Sequence, residues 1–258
     1  MINEKLCSIF SRVNLQKIYL IYKQSIFKMI KAILMDFNGL IINDEPLHMK
    51  AYQEILAKEG IALSEDHYYS AMGMDDKTFI NAQYKRAEKD LTTEKTQEIL
   101  QAKTEKWREF VDKEIPLFDE VENFVRKMEK DFALGIVSMA LREEIEYVLE
   151  RVNLKDCFSI IVSAEDVSVC KPNVECYYTG FNLLDAARIR RGSNPMVHGD
   201  CLVIEDAPQG IIAGKSAGLK TLGITNTVSA DRLREAGADA VSKSLADWMP
   251  DSIRRVFV

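Results

Sequence analysis

Several polar side chains stand where apolar runs of this chain end. Asp36 closes the run 32–36, Ser138 closes 134–138, and Glu205 with Asp206 closes 201–206. Lys171 follows the run 159–163, in the segment "SVCKPN". Brought to one edge, these groups would make a cluster of three carboxylates, one hydroxyl and one ammonium. Crowded carboxylates repel unless a cation lies among them. Hard oxygen donors suit Mg²⁺, which takes one or two protein carboxylates together with substrate phosphate. A carboxylate can also attack phosphorus and carry the phosphoryl group as an acyl phosphate. Lys171 would then balance charge on Asp36 and the phosphoryl group, and Ser138 would donate a hydrogen bond to a phosphoryl oxygen. The parts suit phosphoryl transfer.

Each residue also has a simpler reading. Asp36 could be a turn residue, and Ser138 could cap a following helix. Glu205 and Asp206 could place negative charge at the start of a helix beginning at Pro208, and Lys171-Pro172 could be a solvated turn. Those readings do not account for all of these groups arising in order at successive run ends, which favours the functional one.

The elements that must position this chemistry are legible as short apolar runs alternating with helical patterns. The runs 32–36, 134–138, 159–163, 201–206 and 220–224 lack polar alternation, as strands covered on both faces do. Leu141, Ile145, Val148, Leu149 and Val152 share one helical face, and a second helix starts at Pro208 and stops before Gly218. This alternation predicts an α/β fold with a Rossmann-like parallel sheet core. Residues from about 47 to 111 break the rhythm. They carry helical stripes (Leu47, Ala51, Ile55, then Ile99, Leu100, Trp107, Phe110, Val111) and no strand pattern. They predict an inserted all-α cap domain above the carboxyl ends of the strands, where open α/β sheets bind ligands. The expected division is a cap over 45–111, a core over 29–44 and 112–258, and an appendage or upstream start over 1–28.

Composition narrows the partners. A net charge of −6 over 258 residues gives no general basic footprint for nucleic acid. No run of 18 apolar residues predicts a membrane span. Cys7, Cys157, Cys170, Cys176 and Cys201 are scattered without a CxxC pair, which argues against a disulfide framework or a zinc site and fits a reducing cytoplasm. Residues 1–28 carry Lys5, Arg12, Lys17, Lys23 and Lys28 against Glu4, so a targeting or surface-binding helix is an alternative to the appendage. The expected partner is a small-molecule phosphate ester, and the expected state a monomer.

The segments "DFNGLIINDEPLH", "GIVSMA", "VCKPN" and "CLVIEDAPQGI" resemble the four motifs of the haloacid dehalogenase-like hydrolases. The likeness is to the branch of β-phosphoglucomutases and small sugar-phosphate phosphatases with a helical cap, and it covers residues 29 to about 247. It implies that Asp36 is the nucleophile, that Ser138 with Met139 contacts the substrate, and that Lys171 balances charge. It further implies that Asp206, with Glu205 in support, holds Mg²⁺ together with Asp36 and the backbone carbonyl of Asn38. "GMDDKTF" is similar to the family's substrate-reaching cap loop, with Lys77 as its contact, and His48 matches a histidine at the start of the cap.

The chain departs from this pattern at one catalytic position. The residue two after the nucleophile is commonly Asp, which protonates the leaving oxygen and then activates water; here it is Asn38, which cannot exchange a proton near pH 7. "NDE" also stands where an Asp-Ser-Glu sequence is common. Three readings follow. The first is a slow hydrolase, or one relying on Asp44 or Glu45. The second is a phosphate-binding sensor that does not turn over. The third is another reaction of the fold, such as dehalogenation or phosphonate cleavage. Asn38-Gly39 is also a deamidation-prone dipeptide, and conversion of Asn38 to Asp would restore the missing acid.

Overall fold

The computed structural model describes residues 29–71 and 74–257. The expectations for residues 1–28 and for Gly73 lie outside the described residues.

The sheet is built from β1 (Ala32–Met35), β2 (Ala133–Val137), β3 (Phe158–Val162), β4 (Cys201–Glu205), β5 (Lys220–Ile224) and β6 (Ala240–Ser242). Every pairing is parallel, in the order β3-β2-β1-β4-β5-β6. Each of the five strands expected from sequence lies within one residue of its predicted bounds. The sixth, the three-residue edge strand β6, is too short and too little apolar to announce itself.

The missing polar alternation has a simple cause. Successive side chains of β1 point to opposite faces, and both faces are covered. Ile33 and Met35 pack with Phe124, Val125, Ile145, Val148 and Leu149 on one side. Ala32 and Leu34 pack with Tyr177, Phe181, Leu184 and Ala213 on the other. The first layer comes from α5 (Val121–Met128), α6 (Arg142–Arg151) and α10 (Pro250–Val256), and the second from α7 (Glu175–Arg190) and α8 (Pro208–Ser216). A short α9 (Ala230–Glu235) connects β5 to β6 and packs against both.

The cap comprises α1 (Glu45–Lys58), α2 (Glu65–Ser70), α3 (Asp76–Arg86) and α4 (Thr93–Val111). Ser64, Asp75 and Thr92 cap the last three of these helices by accepting from His67, Thr78 and Lys95 backbone N–H groups. Tyr52, Leu56, Phe79, Ile80, Tyr84 and Ile99 form a separate apolar core within the cap. The end of α4 leaves that core, and its Trp107 and Val111 join the cluster beneath the sheet.

Charge also joins cap to core. Lys103 Nζ on α4 lies 3.0 Å from Asp76 Oδ2 on α3 and 3.0 Å from Glu144 Oε1 on α6, with Lys103 and Glu144 each only 2% exposed. Arg108 pairs with Glu143 at 2.9 Å, and Asp112 accepts from Tyr147 and Arg151. Removing one partner of a buried ion pair strands the other charges without water. Lys103→Met is therefore expected to cost about 3–5 kcal/mol in urea unfolding. A loss under about 1 kcal/mol would mean that these carboxylates are solvated in solution and that Lys103 does not join cap to core as described.

Candidate active site

The site lies at the carboxyl ends of three adjacent strands. β1 is flanked by β2 and β4 in register, with Met35 opposite both Ile136 and Ile204. Asp36, Val137 and Glu205 therefore stand in one row, and Ser138 and Asp206 one residue further on. The chain runs from β1 to β2 on one side and reaches β4 on the other, so this is the point where strand order reverses and open α/β sheets bind ligands.

Lys171 joins the row from the loop after β3. Its Nζ donates to Asp36 Oδ1 at 2.8 Å, Glu205 Oε1 at 2.6 Å and the Val137 carbonyl at 3.1 Å. Tyr177 on α7 donates to the same Glu205 oxygen at 2.7 Å. Burial opposes charge on the lysine, yet Asp36 and Glu205 outweigh it and hold its pKa above the ordinary range. It is a fixed cation. Glu205 is the fully buried group that holds it in place.

Asp36, Glu205 and Asp206 each direct one oxygen to a common point, all within 4.8 Å of one another. Asp206 Oδ2 accepts from Thr227 Oγ1, while its buried Oδ1 has no hydrogen-bond partner. Burial and the Glu205 charge push the Asp36 carboxyl up to about 7, against the pull of Lys171. Burial, Glu205 and Asp36 likewise push Asp206 well above the usual carboxylate range. Three carboxylates facing one ammonium leave two negative charges. An orphaned oxygen at such a point is what a divalent cation would satisfy.

Two glycines make the arrangement possible. Gly39 has φ +77°, a region costly for other residues, and a Cβ there would overlap the Asp206 carboxylate. A Cβ on Gly210, in the first turn of α8, would fall inside the Glu205 carboxylate.

Asn38 lies beside this cluster. Its amide Nδ2 donates to Asp44 Oδ1 at 2.9 Å, and its Oδ1 accepts from Ser138 Oγ at 3.3 Å. Ser138 Oγ also accepts from the Ala140 backbone N–H at 3.1 Å, so part of its capacity goes to the local turn. The Gly39 backbone N–H donates to the Ile42 carbonyl at 2.9 Å. The nitrogen that would attack the Asn38 amide in deamidation is therefore already engaged, and the amide is held at both ends.

The remaining expected residues are placed unequally. Met139 is half-buried and packs against the α7 side of the sheet. Lys77 is exposed in the first turn of α3 and makes no hydrogen bond or ion pair among the described residues. His48 is 7% exposed, pairs through Nε2 with Asp44 Oδ2 at 3.0 Å, and stacks on Trp107 at 5.5 Å. Its influence on the site runs through Asp44.

Tyr177, Thr227 and Asn226 belong to the site and were not singled out from the sequence. Asn226 Nδ2 donates to the Gly39 carbonyl at 2.9 Å. A signal for the last two existed, because "TNT" at 225–227 follows β5 by the same strand-end rule that exposed Asp36. Tyr177 sits inside a helix with no such marker.

Because Glu205 is held by both Lys171 and Tyr177, it cannot step aside cheaply. Gly210→Ala is expected to destabilise the fold by about 1–3 kcal/mol, as overpacking does, and to displace Glu205 from Lys171. Unchanged stability in chemical denaturation would mean that Glu205 is not confined as described.

Comparison with known proteins bears on the same residues. A family model for haloacid dehalogenase-like hydrolases matches residues 33–224. The phosphorylated carbohydrates phosphatase of Thermotoga maritima is 28% identical over 216 residues, covering 83% of this chain and 94% of that protein. Hexitol phosphatase B of Escherichia coli K12 is 25% identical over 222 residues, covering 85% of this chain and 95% of that protein. Among solved structures, the β-phosphoglucomutase of Clostridium difficile superposes with a TM-score of 0.74 at 20% identity, over 89% of this chain and 97% of that one, a likeness of fold. The matched span runs from β1 through β5 and contains Asp36, Ser138, Lys171, Glu205 and Asp206, and the chain belongs to the haloacid dehalogenase-like hydrolases.

Proposed function

We propose that this hydrolase is a Mg²⁺-dependent phosphatase of a small phosphate ester, a sugar phosphate by class, acting through an aspartyl-phosphate on Asp36. The observation that carries the reading is the convergence of Asp36, Glu205 and Asp206 on one point beside a buried lysine. The names of relatives that act on phosphorylated carbohydrates and hexitols support the substrate class.

Asp36, Asp206 and the backbone carbonyl of Asn38 would hold the ion, with Glu205 beside them. Bound there, the ion would supply positive charge against the phosphoryl oxygens. Lys171 neutralises Asp36 and keeps it pointed at phosphorus, and Ser138 donates to a phosphoryl oxygen. Met139 and Lys77 contact the substrate, Lys77 from the cap. The Asp36 carboxylate attacks phosphorus as the bond to the alcohol oxygen breaks, and the departing oxygen takes its proton from water. A water molecule then attacks the phosphorus of the acyl phosphate as the bond to Asp36 breaks, restoring the carboxylate and releasing inorganic phosphate, and the proton this water loses neutralises the hydroxide left by the first step. Asn38 can donate a hydrogen bond in both steps but not a proton. Turnover is therefore expected about 10²–10⁴-fold below that of a site with a positioned acid/base.

The test is phosphate release from a panel of sugar phosphates with Mg²⁺, for the wild type and Asp36→Asn. Release that disappears in Asp36→Asn supports the proposal, and release that survives overturns it. A phosphoryl group that stays on Asp36 would indicate a sensor, and reaction only with haloacids or phosphonates would indicate the third chemistry.

Metal binding has its own readout. Mg²⁺ at 100 times its dissociation constant stabilises a binding fold by about 2.7 kcal/mol, so the melting temperature of the wild type is expected to rise on adding Mg²⁺. Asp206→Asn is expected to lose that rise. An equal rise in the variant would place the ion elsewhere.

A further inference from the structure

Position 38 is held by one side chain above all others, and that side chain has no other freedom. Asp44 is fully buried. Its Oδ1 accepts from Asn38 Nδ2 at 2.9 Å, and its Oδ2 accepts from Trp107 Nε1 at 3.0 Å and pairs with His48 Nε2 at 3.0 Å. Each of its three neighbours presents an N–H. Two come from the cap helices α1 and α4, and the third is the amide beside the nucleophile.

We propose that Asp44 is the positioning residue of this site, and that Asn38 and Asp44 form a single amide–carboxylate pair in which the carboxylate has been placed away from the reacting atoms. Asp44 sets the rotamer of Asn38, turning Oδ1 to Ser138 and leaving one N–H of Nδ2 for the oxygens of the substrate. The pair also sets what position 38 can be. An Asp at 38 would face Asp44 Oδ1 at hydrogen-bonding distance with no donor between them, so the bond that orients position 38 would be lost. Substituting position 38 alone therefore places a carboxylate there without the contact that positions it.

Exchanging the two residue types is different. In Asn38→Asp with Asp44→Asn, the amide at 44 donates to the carboxylate at 38 along the same line. Its Oδ1 remains available to Trp107 and His48. The bond is rebuilt with its polarity reversed, and the carboxylate now stands two residues from Asp36.

The test is a thermodynamic cycle over Asn38→Asp, Asp44→Asn and the exchange, with melting temperature and steady-state kinetics measured on each. Asn38→Asp is expected to lower the melting temperature by roughly 2–12 °C. The exchange is expected to recover at least half of the summed single losses. Single losses that simply add in the exchange, as independent sites do, overturn the pairing.

The positioning role has a separate signature. The exchange is expected to raise kcat about 10²-fold over the wild type with KM little changed, the lower end of what a positioned acid/base contributes. Restored stability with kcat no higher than in Asn38→Asp would overturn it. If neither Asn38→Asp nor the exchange folds, Asn38→Asp with Asp44→Ser offers a smaller donor at 44, and failure of that variant to outlast Asn38→Asp overturns the proposal. The kinetic arm rests on Asp36 being a phosphatase nucleophile, and the melting arm does not. Coupled melting temperatures without phosphate release from any variant would therefore separate the pair from the phosphatase reading.

Discussion

Three carboxylates without enough positive charge is the condition to which the rest of this molecule answers. Taking one ionised carboxylate out of water is expensive, and here three converge at the ends of adjacent strands with a single ammonium between two of them. Lys171 could not serve without a second anchor, which Glu205 supplies. Glu205 in turn needs Tyr177 to keep its shared oxygen satisfied. Gly210 withholds a side chain where Glu205 must lie, and Gly39 does the same for Asp206. Even so, Asp36 and Asp206 remain well above the usual carboxylate range, and one oxygen of Asp206 stays buried without a partner. Added positive charge at this point would relieve what the protein's own groups leave unbalanced.

This logic explains which parts could be read in the sequence. The strands were legible because β1, β2 and β4 are covered on both faces, and their apolar runs end abruptly at a charged or polar residue. Asp36, Ser138, Glu205 and Asp206 inherit that visibility, and Lys171 gains it from a loop at the same edge. The cap was legible as an interruption, since its stripes have a helical period and no strands between them. The remaining partners act from places with no local pattern. Tyr177 is one apolar-looking residue in a helix, and its role depends on where Glu205 ends up. Trp107 reads as part of a helical stripe, and only the fold reveals that its ring edge leaves the cap core to meet Asp44. A side chain whose partner lies 63 residues away leaves no mark at its own position.

The boundary between cap and core carries charge. Lys103 with Asp76 and Glu144, and Asp44 with His48, place five ionisable groups there, and Asp44 also holds Asn38. Burial and Lys103 disfavour charge on His48, yet Asp44 and its hydrogen bond prevail and raise its pKa. Burial disfavours charge on Asp44, yet His48, Asn38 and Trp107 together lower its pKa. Each ion is tolerable only because the other is present. Apolar residues of similar volume could cover such a boundary more cheaply. What charge adds is direction, because each pair fixes one geometry where an oily surface would allow many. That geometry passes from the cap helices through Asp44 to the amide at position 38.

Seen this way, Asn38 is a consequence of Asp44 as much as a departure from a family pattern. Two of the three departures in the first motif, at 38 and at 44, are joined by one hydrogen bond, and neither would be well placed without the other. A neutral donor at 38 lets the buried carboxylate at 44 keep its charge, and that charge is what holds Trp107 and His48 of the cap against the core. An ionised acid at 38 would weaken that attachment at the position where proton transfer is wanted. The cap is tethered through Asp44, which accepts from Trp107, pairs with His48 and accepts from the amide of Asn38. What the structure gives position 38 is a share in that anchoring, because the carboxylate that holds its amide is the one that holds Trp107 and His48.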